Sequence, residues 1–358
     1  IRTKSKIRCI IEKMTQRVRL TYITLLILLP ICIVLGTSLG AFKIEMGQCT
    51  NILLNLFGVD NYSEFTTPQY NVLLNIRLPR VFLSMMIGAA LAVGGAALQG
   101  LFRNPLADPG LIGISAGAML AASIAIILGL QFTNGILGYY SISVATFIGA
   151  IATTIVVFRL AKSNNTTNVA TMLLGGIAIN ALAGAVTGFI IYLSDDDQLR
   201  DITFWSLGSL GGADWEKVIA LIPLIILPII MIARLAKKLD VFALGESDAI
   251  CLGVNVNTLK RKLIIWVTIT VGACVAIAGM IGFIGLIIPH ITRLLVGPKH
   301  RNLIWISAIS GALVLSISDL LCRLVVAPAE LPIGILTAIL GTPIFLGLLI
   351  QQKRRANG

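Results

Sequence analysis

Few residues of this chain have the types and spacing that chemistry requires. The two histidines, His290 and His300, stand ten residues apart with no His-Glu-x-x-His context, which argues against a zinc site. Cys9, Cys32, Cys49, Cys251, Cys274 and Cys322 are scattered without a Cys-x-x-Cys pair and read as small apolar fillers. No Gly-x-x-x-x-Gly-Lys-Ser/Thr segment occurs, so there is no Walker-type phosphate cradle. Ion-coupled carriers usually bury ionisable groups in mid-bilayer. The one intramembrane acid legible here is Asp319, with Arg323 four residues later on the same helical face, toward the outer end of its helix. That pair reads equally as a local ion pair. A motor held in another chain fits better than a built-in one. An ion-coupled secondary transporter is the rival class, and it would require essential buried acids.

The elements that hold these residues follow from composition. Of 358 residues, 57% are hydrophobic and 12% charged, where soluble domains carry roughly 25% charged and about 45–50% apolar residues. So few charges cannot coat a soluble surface of this size, which excludes a soluble enzyme. Nine apolar stretches lie at about 20–40, 81–102, 110–130, 136–158, 169–193, 218–235, 263–296, 302–327 and 331–350; one crossing needs about 20 such residues. The fold class expected is all-α and polytopic, in a lipid bilayer.

The net charge of +12 invites a nucleic-acid reading until the charges are placed. Basic residues collect in alternate gaps: Arg2 to Arg19, Arg103, Arg159 with Lys162, Arg234 to Lys262, Arg293 to Arg301, and Lys353 to Arg355. These gaps hold 22 bases against five acids, while the remainder holds six bases against eleven acids. The positive-inside rule makes the basic gaps cytoplasmic, so the basicity labels topology and no nucleic-acid partner is expected. Glu45, Asp60, Glu64, Asp195 to Asp197, Asp201, Asp214, Glu216 and Glu330 mark the outside. Both termini fall inside, which demands an even number of crossings. Splitting the long 263–296 stretch near Met280–Phe283, where Gly282, Gly285 and Pro289 interrupt it, gives ten helices. The expected organisation is a basic tail over 1–19, one ten-helix domain over 20–351, and a second basic tail over 352–358.

Small residues recur within the stretches: Gly88, Ala92, Gly95 and Ala96; Gly113 with Gly117; Gly175, Gly176, Gly184 and Gly188. They predict close helix approach. Three segments say more. Arg77-Leu-Pro-Arg80 leads into a helix that ends at Gln99-Gly-Leu-Phe-Arg-Asn104-Pro-Leu-Ala-Asp-Pro-Gly110, a fixed turn. Glu246 to Gly253, within a segment of about 244–254, reads as a short amphipathic helix with Ala249 and Leu252 on one face and Gly253 closing it. Gly282-Phe-Ile-Gly-Leu-Ile-Ile-Pro-His-Ile-Thr-Arg293 is the third, followed by Gly297-Pro-Lys-His-Arg301.

Together with Ala329-Glu-Leu-Pro-Ile-Gly334, these segments resemble the FecCD family of permease subunits of ATP-driven importers for iron–siderophores, haem and cobalamin. The resemblance runs from about residue 20 to 351. It implies a type II importer permease with ten helices and cytoplasmic termini, in the bacterial cytoplasmic (inner) membrane. The implied partners are a second permease copy, two ABC ATPase subunits and a periplasmic or lipoprotein substrate-binding protein. The chain itself would bind no cofactor and hold no metal; ATP and Mg would sit on the ATPase.

The resemblance also assigns roles. Arg77, Arg80 and Arg323 match outward arginines that accept glutamates of the binding protein, a task suited to a rigid guanidinium fork. Glu246, Ala249, Leu252 and Gly253 match the helix that couples to the ATPase. Asn104, Leu106, Asn168 and Val169 match a cytoplasmic gate. Gln198 to Gly208 looks like a short outer helix capping the pathway. Leu193 to Gly212 and Val325 to Pro332 look most like the haem-permease branch, which makes haem the expected cargo and a ferric siderophore or cobalamin the alternative.

Overall fold

The structure, a computed structural model, describes residues 2–55, 65–130, 136–163 and 166–356. Asp60 and Glu64, counted above among the outer acids, lie outside these residues. The chain is almost wholly helical. The N-terminal elements are α1 (Arg2–Ser38), α2 (Met46–Asn55) and α3 (Thr67–Asn71), which continues through a π-helical turn (Val72–Arg77) into α4 (Leu78–Phe102). A 3₁₀ turn (Pro109–Ile112) precedes α5 (Ile114–Ile127) and α6 (Ile136–Leu160). Two short strands, β1 (Lys162–Ser163) and β2 (Thr166–Thr167), pair antiparallel before α7 (Val169–Leu193). Then come α8 (Asp196–Leu207), α9 (Trp215–Phe242), α10 (Glu246–Cys251), α11 (Val256–Ala278), α12 (Ile284–Val296), α13 (His300–Val325) and α14 (Ile333–Ala356).

Among the described residues, eight helices are long and apolar enough to cross a membrane: α1, α3–α4 as one column, α6, α7, α9, α11, α13 and α14. Two shorter apolar helices, α5 and α12, have 14 and 13 residues. All the apolar stretches read from the sequence are therefore helical. The division of 263–296 falls at Gly279 to Phe283, where both named residues have positive φ (+71° and +67°). The segment just past α8 packs against this break: Ser209 N donates to Ala278 O at 2.8 Å.

Three boundaries differ from expectation. The basic N-terminal segment is continuous with α1, and α14 runs to Ala356 through the expected C-terminal tail. Lys260, Arg261 and Lys262 lie inside α11 rather than in a loop, because Asn255 caps that helix by accepting from Thr258 N at 3.0 Å.

α4 forms the centre, packed by α13, α12, α9 and α11, while α5, α6 and α7 form a flank and α1 lies against α13. The seam between α4 and α13 is held at successive turns. Arg80 meets Asp319, Ser84 Oγ lies 2.7 Å from Ser316 Oγ, and a Cβ on Gly88 would overlap the carbonyl oxygen of Gly311. Removing the Cβ lets two backbones touch, which is how apolar helices gain dispersion energy where lipid gives no hydrophobic drive.

Candidate functional site

The three expected docking arginines do gather at one end of the bundle, the end assigned outside by charge. They are buried, with 4%, 5% and 8% of Arg77, Arg80 and Arg323 exposed. Arg80 Nε donates to both oxygens of Asp319 at 3.0 and 3.1 Å, and its Nη1 donates to both oxygens of Glu330 at 2.7 and 2.9 Å. Arg323 Nε stands 3.2 Å from Asp319 Oδ2, and its Nη2 donates to Gly36 O at 3.1 Å. Arg77 Nη1 donates to Thr37 O and Ser38 O at 2.9 and 2.8 Å, and its Nη2 to Phe42 O.

Two physical causes collect them. The last carbonyls of α1 have no intrahelical donor, and they carry the negative end of the helix dipole, so guanidinium groups cap them. Asp319, 1% exposed, needs cations around it to stay charged inside the bundle. The sequence paired Asp319 with Arg323 but did not show Arg80 bridging it to Glu330, because that contact joins positions 239 and 250 residues apart. The guanidinium groups thus do not stand free at the surface: each already holds carboxylates or carbonyls of this chain.

At the opposite end, α10 sits between two glycines with positive φ, Gly245 (+144°) and Gly253 (+79°). Gly253 closes the helix as expected, with Val254 N donating to Ala249 O at 2.9 Å. The shared face expected for Ala249 and Leu252 is not found. Ala249 is fully buried at 0% and belongs to the main core, whereas Leu252 lies just past the helix end and is 62% exposed. The outward apolar residues are Leu252, Ile250 (60%) and Leu244 (66%). Leu244 and Ile250 were missed by the sequence reading, although their position three residues either side of Ser247 was the available signal.

Glu246 opens α10 and points back into the bundle, where it accepts from Lys260 Nζ at 2.8 and 2.9 Å. Asn168 caps α7 by accepting from Ala170 N and Thr171 N at 2.9 and 3.2 Å. Glu246, Asn168 and Val169 border one cavity of about 450 Å³, together with Phe102 and Arg103. Asn104 and Leu106 occupy the adjoining turn, where Asn104 Oδ1 accepts from Leu106 N at 2.9 Å, and do not line that cavity. The four residues expected at the gate thus stand as two pairs, one in the turn after α4 and one at the head of α7.

His290 and His300 border a separate cavity of about 400 Å³ with Gln99 and Arg293. His300 Nδ1 lies 2.7 Å from Asp240 Oδ1, which also accepts from His300 N at 2.8 Å. This arrangement ties α9 to the start of α13. Among the described residues no three metal-ligating side chains come together.

A bundle of spanning helices with charged clusters at its two ends defines a multi-pass membrane protein. The chain belongs to the FecCD transport family, whose model matches residues 26–351. It is 42% identical over 334 residues to the hemin transport system permease protein HmuU of Yersinia pestis, covering 93% of this chain and 96% of the relative. It is 37% identical over 331 residues to the vitamin B12 import system permease protein BtuC of Vibrio vulnificus, covering 92% and 94%. A solved chain described as an inward-facing conformation of a metal-chelate type ABC transporter superposes with a TM-score of 0.79 at 31% identity, covering 93% of this chain and 99% of that one. This is an ABC-importer permease subunit of the cytoplasmic membrane.

Proposed function

We propose that the chain is the transmembrane subunit of an importer that moves haem into the cytoplasm by alternating access, powered by a separate ABC ATPase. The observation that carries the mechanism is α10. It presents Ile250 outward, flanked by the exposed Leu244 and Leu252 of its two turns, while Ala249 and Glu246 fasten it to the bundle. An apolar knob on a glycine-flanked helix is a shape contact for a partner that closes and opens with nucleotide. Haem is favoured as cargo by the likeness to a hemin permease across nearly the whole of both chains. Cobalamin is the second reading, favoured by the vitamin B12 permease relative.

In this reading two copies form the pathway, with ten crossings each, and α7 and α14 offer the exposed apolar faces. The substrate-binding protein docks at the arginine end. Arg80 is its nearest point, reached past Glu330, whose side chain is 46% exposed. A carboxylate of the binding protein would replace Glu330 on Arg80, keeping the guanidinium paired throughout. Loaded and empty binding proteins, added to the reconstituted permease–ATPase complex, test the whole reading. Haem-loaded protein is expected to raise ATP hydrolysis and fill the vesicles with haem, whereas stimulation by cobalamin or a ferric siderophore alone would reassign the cargo. Uptake that persists without ATP but collapses with the ion gradient would replace the ATPase-driven mechanism by an ion-coupled one.

A further inference from the structure

Lys260 lies in the first turns of α11 with 1% of its surface exposed, an environment that normally excludes an ammonium group. Its Nζ donates to both oxygens of Glu246 at 2.8 and 2.9 Å and to the carbonyl oxygen of Thr167 at 2.7 Å. Three donors meet three acceptors, so the group is fully satisfied. Three elements therefore converge on one nitrogen: the first residue of α10, the strand β2 that runs directly into Asn168, and α11 itself.

The junction is held from two further sides. Thr167 N donates to Asn257 Oδ1 at 3.4 Å, one turn before Lys260 on α11. Lys260 Nζ also stands 5.9 Å from the ring centre of Phe242, at the end of α9. Within α10, Glu246 through this bond and Ala249 through its burial in the core are what fasten the helix to the bundle.

A buried ion pair is weak evidence of a purely stabilising role. Burying an ammonium costs several kcal/mol, and an apolar residue of similar volume often serves a core as well or better. What the ammonium adds is direction, because it fixes the distance between α10 and the head of α7.

We propose that Lys260 is a positioning residue for transport. It acts as a strut that carries a displacement of α10 to Thr167, and through it to Asn168 and Val169. This rests on α10 being the ATPase contact.

The experiment uses the complete transporter in liposomes and reads cargo imported per ATP hydrolysed, a ratio independent of how much complex assembles. Lys260→Met keeps the stem and removes all three donors; its ratio is expected to fall about tenfold, within the range of ordinary coupling energies. Lys260→Arg should restore most of the ratio, and adding Glu246→Gln to Lys260→Met should cost nothing more, since both cut one path. A wild-type ratio in Lys260→Met overturns the strut. If that variant does not assemble, Glu246→Gln is measured by spin-label distance between Cys251, which is exposed on α10, and Ala170→Cys on α7. The two labels should move together through the nucleotide cycle in the parent and separately in the variant; identical behaviour overturns the proposal. Ile250→Asp separates the two failures. If it leaves ATPase binding intact, the contact reading fails. If it releases the ATPase while Lys260→Met still imports normally, only the strut fails.

Discussion

α4 and α7 carry similar stripes of small residues, and the structure uses them in opposite ways. On α4, a Cβ at Gly88 would overlap the carbonyl of Gly311 and one at Gly95 would overlap that of Gly285, so the stripe is consumed by α13 and α12. On α7, Gly176 is pressed in the same manner against the carbonyl of Leu111, but a Cβ at Gly184 or Gly188 would meet nothing within 4 Å. The same half of α7 exposes Leu182 (61%), Phe189 (63%) and Tyr192 (84%). Small residues on a spanning helix therefore mark where a close approach is sterically open, and only packing tells whether it is made within the chain. On the outer half of α7 it is not made within the chain.

The largest expected effect comes from filling the consumed stripe. Gly95→Leu forces α4 and α12 apart where backbone meets backbone, with no flexible side chain to yield. Folded, monodisperse protein should be lost, and even Gly95→Ala should lower the thermal midpoint, overpacking being worth about 1–3 kcal/mol or more. Size-exclusion chromatography and a thermal melt in detergent check both. A stable Gly95→Leu protein would mean that α12 does not seat as described.

Next is the charged end of the α4–α13 seam. Asp319→Asn leaves Arg80 with Glu330 alone and Arg323 without its carboxylate, both inside the bundle. Removing one partner of a buried ion pair costs about 3–5 kcal/mol. The midpoint should fall clearly, and less in Glu330→Gln, because that carboxylate is half exposed and its loss is screened by solvent. Equal losses would show that Asp319 is not the buried hub.

The contrast between the two helices also explains what could be read without the structure. Apolar length located the helices long enough to span, and charge parity the break at Gly279 to Phe283, because those signals are local and set by bilayer thickness, whereas α2 and α3 fell outside every apolar stretch. The partners of Arg77, Arg80 and Lys260 were not legible. They lie 35–40, 239–250 and 14–93 residues away in the chain, respectively. The single-face reading of α10 failed for a related reason. Ala249 and Leu252 share a spacing, but the helix stops at Cys251, so Leu252 leaves with the turn while Ala249 enters the core.

The smallest effect on stability, and the sharpest for the comparison, is expected from Gly184→Ala beside Gly176→Ala. Both add one methyl to the same helix, and alanine is favoured over glycine within a helix by about 0.8–1.0 kcal/mol. At Gly184 that gain is unopposed inside the chain, so the isolated protein should melt no lower than the parent. At Gly176 the methyl meets the carbonyl of Leu111, and the melt should drop. If the outer half of α7 faces a second copy or the moving cargo, Gly184→Ala should reduce dimer content by native mass spectrometry, or cargo imported per ATP, despite unimpaired stability. Should both substitutions lower the melt equally, α7 is packed alike along its length and the distinction from α4 disappears. Should Gly184→Ala leave dimerisation and import untouched, the open glycines face lipid and the outer half of α7 takes no part in either.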